Sequence, residues 1–157
     1  MKKLDTWLSE YGESHQNSTN KRIHYICVPL IFWSIYFIIY SIPFPENKSA
    51  YINIANLVYL FALIFWFRLS INLGIIFLVH GLILAFLAPS LLDIVFLGSK
   101  EKLFIGAFIV FILAWIGQFY GHKIEGKKPS FLKDLQFLLI GPAWIIHDFF
   151  MKKNGRI

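Results

Sequence analysis

At 157 residues, with 57% hydrophobic side chains, 18% aromatics and only 15% charged ones, the chain has room for one domain but too little charge to cover a soluble one. Its net charge of +6 comes from basic residues flanking apolar runs rather than from one continuous stripe, which favours membrane flanks over nucleic acid as the partner. The single cysteine, Cys27, excludes an internal disulfide framework and a cysteine-based metal site.

In chain order, Leu4, Trp7, Leu8 and Tyr11 recur at helical spacing with charges between them, which predicts a short helix lying on a membrane surface. A polar segment then leads to the first apolar run without a small-residue cleavage site, so no cleaved signal peptide is expected. Apolar runs follow at 25–42, 52–67, 71–88 and 103–120, each close to the ~17–25 residues that cross a hydrocarbon core. The second is short enough to tilt into a hairpin with the third, and the third has an apolar continuation past Pro89 to Leu97. Strands on their own leave backbone groups unsatisfied in lipid, so the runs are expected to be helices. The fold class is therefore all-α, a polytopic membrane protein with about four transmembrane helices in a single domain. Residues 131–151 are also apolar but contain Gly141-Pro142. Proline removes a helix hydrogen bond there, which predicts a broken, interfacial or re-entrant helix.

Four spans place residues 1–24, Arg68 and 121–157 on one side. Of the fifteen Lys and Arg residues, only Lys48, Lys100 and Lys102 fall on the other. Both termini are therefore expected to be cytoplasmic, a topology that suits a bacterial inner membrane and an endoplasmic reticulum equally.

The same topology collects histidines. His15 and His24 precede the first span, His122 follows the fourth, and His147 follows the Gly-Pro break, whereas His80 lies within the third span. Imidazole is the commonest metal ligand and suits iron, zinc, copper and nickel. His122 and Glu125 stand three apart, which puts an imidazole and a carboxylate on one helical face. Gly117 and Gly121 flank Gln118 and permit close helix approach. A plainer reading competes: interfacial histidines often face lipid headgroups, and His15 continues the stripe of Leu4, Leu8 and Tyr11. On that reading the chain is a small lipid-binding or scaffold protein without catalysis. Five histidines are too few for the clustered boxes of a membrane di-iron enzyme, so any metal site is mononuclear.

Three stretches carry a resemblance. "YGESHQNSTNKRIHYICVP" supplies Tyr11, His15, Asn17, Asn20, Ile23, His24, Val28 and Pro29; "WIGQFYGHKIEGKKPSF" supplies Trp115, Gln118, Phe119, Gly121, His122, Glu125 and Pro129; "GPAWIIHD" ends in Asp148. Together they resemble the membrane 2-hydroxy fatty acid dioxygenases over essentially the whole chain. The resemblance implies an Fe(II)-dependent enzyme that uses dioxygen to shorten a long-chain 2-hydroxy fatty acid by one carbon, the α-oxidation step of sphingoid-base breakdown in yeast-type members. It implies His15, His24 and His122 as iron ligands, with Glu125 and Asp148 as ligands or partners of the ligands. Asn17, Asn20 and Gln118 would line the site or hold the substrate's carboxylate and hydroxyl. His147 stands where yeast-type members carry an aromatic, which makes it a candidate replacement ligand. Membrane lipid is an expected partner, nucleic acid is not, and a homo-oligomer is compatible with the pattern.

Overall fold

A computed structural model describes residues 3–44, 50–126 and 137–151. Every regular element among them is helical. They fall into two compact units, residues 1–32 with 112–157 and residues 33–111.

In the first unit, α1 (Leu4–Gly12) buries Leu8 and Tyr11 and packs against α6 (Ile140–Ile146). The Tyr11 and Trp144 rings meet across this contact with centroids 5.2 Å apart, and Trp7 packs edge-on to Phe137, just before α6, at 5.9 Å. The next helix, α2 (Ser18–Tyr40), begins well before the apolar run at 25–42. Asn17 sets its start: Oδ1 accepts from the N–H of Thr19 at 2.8 Å and of Asn20 at 3.3 Å, satisfying amides that a helix start leaves open.

The Gly141-Pro142 pair lies in the first turn of α6. Proline is tolerated in a first turn because its missing N–H has no intrahelical partner there. The first half of the expected broken helix, residues 131–136, lies outside the described residues. After α6 the chain makes a π-helical turn, His147–Met151.

In the second unit, α3 (Ile54–Leu69) and α4 (Ile71–Phe96) form the expected hairpin about Ser70. Trp66 stacks on Phe77 with centroids 3.8 Å apart. Gly74 and Gly81 let the rings of Phe67 and Tyr59 lie directly on the α4 backbone, where any Cβ would collide. The α4 helix does run on through Pro89. Leu97 and Gly98, both with positive φ, then turn the chain towards α5 (Lys100–Glu125).

Helices α2, α4 and α5 are long and apolar enough to cross a membrane, and α3 is a shorter apolar helix. Large apolar side chains stay exposed, among them Phe61 at 73% and Ile94 at 78%. Lipid tails as solvent account for that exposure, since they are as apolar as the side chains they touch. This is a membrane protein of all-α class.

Candidate metal centre

The first unit brings His15, His24 and His122 together. His15 sits in the loop between α1 and α2, its N–H held by Gly12 O at 3.0 Å. His24 stands on α2 and His122 in the last turn of α5. Their exposures are 2%, 0% and 4%, and one ring nitrogen of each lies within 4.8 Å of the others. Ring centroids are 4.2 Å apart for His15–His24, 4.9 Å for His24–His122 and 5.5 Å for His15–His122.

Hydrogen bonding fixes which nitrogens carry protons. His15 Nδ1 lies 2.6 Å from Tyr11 O, and His24 Nδ1 lies 3.0 Å from Asn20 O. A carbonyl only accepts, so each Nδ1 is the protonated nitrogen, and each Nε2 carries a lone pair. Both Nε2 atoms are buried without a hydrogen-bond partner. An orphaned buried acceptor costs about 1–3 kcal/mol, yet two such histidines stand in one cluster. A neutral imidazole held at Nδ1 with a bare Nε2 is the form that binds a metal. Burial holds His15 well below the usual histidine range, at about 4, against a smaller opposing effect of the Tyr11 carbonyl; His122 nearby lowers it further. His15 is therefore neutral at pH 7, the form that metal binding requires. The donor set fits a divalent first-row ion.

Glu125 is not one of the three clustered residues. Its carboxylate instead accepts from Gln16 N at 2.8 Å, from Asn17 N at 2.9 and 3.2 Å, and from Asn20 Nδ2 at 2.9 Å. It thereby fastens the loop carrying His15 and the first turn of α2 to the end of α5. The negative charge also sits at the N-terminus of α2, where a helix dipole favours it. Asn20 gives its second amide hydrogen to Ser14 O at 3.0 Å. Gly121 makes this approach possible: a Cβ there would run into Asn20 Oδ1 and stand 3.2 Å from His24 Cε1.

His147 and Asp148 are elsewhere in the same unit. His147 lines a cavity of about 320 Å³ with His15, Lys21, Trp144 and Asp148. Asp148 accepts a 2.5 Å hydrogen bond from the Tyr25 hydroxyl and lies 3.5 Å from Lys21 Nζ. His80 belongs to the second unit, where the Trp33 indole donates to its Nε2 at 2.9 Å. Its Nδ1–H then faces the Tyr59 hydroxyl at 2.8 Å, and that hydroxyl donates to Phe77 O. Both ring nitrogens are occupied, so His80 serves packing. Sequence reasoning placed Tyr11 in the apolar stripe and in the first motif but gave it no role at the centre; its ring stacks on His15 at 4.2 Å and its carbonyl fixes the His15 tautomer. The four-residue spacing from Tyr11 to His15 was the available signal.

The family profile described as 2-hydroxy-palmitic acid dioxygenase Mpo1-like matches residues 1–153. The chain belongs to the Mpo1-like family. It is similar to 2-hydroxy-palmitic acid dioxygenase MPO1 of Saccharomyces cerevisiae, 32% identical over 152 residues that cover 95% of this chain and 80% of the yeast protein. No solved structure matches the chain.

Proposed function

We propose that this membrane protein is an Fe(II)-dependent dioxygenase that shortens a long-chain 2-hydroxy fatty acid by one carbon, with both termini cytoplasmic. Membership of the Mpo1-like family and the yeast relative's name support the reaction class. The observation that carries the reading is a buried cluster of His15, His24 and His122 in which the Nε2 atoms of His15 and His24 have no hydrogen-bond partner.

On this reading His15, His24 and His122 hold the metal, and the carbonyls of Tyr11 and Asn20 keep two of the imidazoles in the ligating tautomer. Bound Fe(II) would supply the chemistry that activates dioxygen towards the 2-hydroxy acid. The substrate itself provides the electrons, so no 2-oxo acid is needed as a co-reactant. Glu125 holds the loop and α2 in register with α5, and the surrounding burial keeps bulk water from the centre.

The test is metal content and turnover of detergent-purified protein reconstituted anaerobically with Fe(II), beside His24→Ala and His122→Ala. One iron per chain, lost in folded variants together with turnover of 2-hydroxy-palmitic acid, is expected. Wild-type protein without specific metal would remove the reading, as would dioxygen uptake that requires added 2-oxoglutarate.

A further inference from the structure

A cavity of about 320 Å³ in the first unit touches the histidine cluster, with Leu8, Gly12, His15, Lys21, Trp144 and Asp148 on its wall. That volume lies in the usual range of a small-molecule site, ~300–1,000 Å³. Lys21 is the one lysine or arginine on the wall among the described residues.

Two hydrogen-bond donors on this wall are held in place without being used up. Trp144 is only 4% exposed, and its indole N–H makes no hydrogen bond among the described residues. A Cβ on residue 12 would stand 3.3 Å from Trp144 Nε1. Glycine there leaves the space beside that N–H open to the cavity that both residues line. An indole N–H only donates, and leaving it unmet in a largely apolar setting is unfavourable. The Lys21 ammonium lies 5.6 Å from the centroid of the same ring and 3.5 Å from Asp148 Oδ1. The second distance exceeds the ~2.7–2.9 Å of a charge-assisted hydrogen bond, and an ammonium carries three donors. Asp148 accepts from Tyr25 through its other oxygen, so it fixes the ammonium beside Trp144 without consuming its donors. The other acid on the wall, Asp5, is exposed. A cation beside an unmet N–H is complemented by an anion with acceptor oxygens, and Leu8 with the Trp144 ring suits an apolar continuation. A carboxylate on an alkyl chain meets both demands. Trp144 also lies 5.1 Å from the His15 ring, so an acid bound there has its head beside the cluster.

We propose that this cavity receives the head of the substrate and that Lys21 and Trp144 hold its carboxylate, the ammonium by charge and the indole N–H by a hydrogen bond. This rests on the function proposed above and assigns recognition of the acid to residues outside the amides of the two motifs. Of those amides, Asn17 caps α2, Asn20 donates to Ser14 O and Glu125, and Gln118 lines a separate cavity of about 30 Å³.

The experiment measures dissociation constants of 2-hydroxyhexadecanoic acid and its methyl ester on the whole detergent-purified chain, metal-free so that no iron competes for the carboxylate. The ester keeps tail and hydroxyl and loses the charge. Wild type should bind the acid roughly tenfold or more better than the ester, the worth of a hydrogen bond to a charged group. K21M should bring that preference close to one with ester binding unchanged, K21R should retain it, and W144F should reduce it in part. An unchanged preference in folded K21M overturns the assignment, as does a wild type that binds acid and ester alike. If K21M does not fold, K21Q is measured in its place; failure of both makes Lys21 a support of the fold and also overturns the assignment. A wild type that prefers the acid through Lys21 yet, loaded with Fe(II), turns over no 2-hydroxy acid sinks the function proposed above and leaves the cavity a carboxylate site.

Discussion

Replacing Glu125 with alanine removes one acceptor shared by three donors: Gln16 N, Asn17 N and Asn20 Nδ2. The two backbone amides lie where water reaches them, so each loses about 0.5–1 kcal/mol. The Asn20 side chain is fully buried, and an orphaned buried donor costs about 1–3 kcal/mol. Together these give a stability loss of roughly 2–5 kcal/mol, read as a melting temperature lower by roughly 4–20 °C for a chain of this size. The loop that Glu125 holds carries His15, so metal affinity should fall as well, by about 10–100-fold, the usual effect of removing a group that orients ligands. Glu125→Gln keeps one acceptor oxygen and should lie between wild type and alanine. Melting curves of metal-free protein and Co(II) competition against a fluorescent chelator measure the two effects. An alanine variant with unchanged melting and unchanged affinity would refute the clamp. Unchanged melting with complete loss of metal would make Glu125 a ligand instead.

Gly121→Ala places a methyl group against Asn20 Oδ1 and His24 Cε1; overpacking of this kind costs about 1–3 kcal/mol, and weaker metal retention should accompany the lower melting temperature. His15 supplies a pH dependence in the metal-free protein. Its folded pKa of about 4 lies below the unfolded 6.5, so the unfolded chain binds more protons between those values. The stabilisation is complete above pH ~6.5 and is lost as pH falls towards ~4, about 3 kcal/mol in all. Melting of metal-free protein that does not change across this window would contradict the burial argument. In the second unit, Tyr59→Phe removes the hydroxyl between His80 and Phe77 O. It should lower stability by roughly 1–3 kcal/mol while iron content stays at the wild-type level; loss of iron would place His80 in the metal chemistry after all.

Hydropathy alone determined the solvent and the class of this protein. Long apolar runs in a chain so poor in charge can satisfy their backbones in lipid only as helices, and helices cover those runs in the described residues. Individual boundaries were less legible. The α2 helix starts at Asn17 because a side chain there can cap it, and hydropathy does not register caps. Gly141-Pro142 marked a place where a helix does not run on, and α6 begins there. The motifs pointed to His15, His24 and His122, but a list of residues could not say what each polar atom meets. Only the tertiary structure decided that, through distances and hydrogen-bond partners set by segments far apart in the chain. It left the Nε2 atoms of His15 and His24 bare, gave the Glu125 carboxylate to the loop before α2, and paired Asp148 with Tyr25 and Lys21. A side chain's role follows from which partners reach its polar atoms, and that is decided by packing.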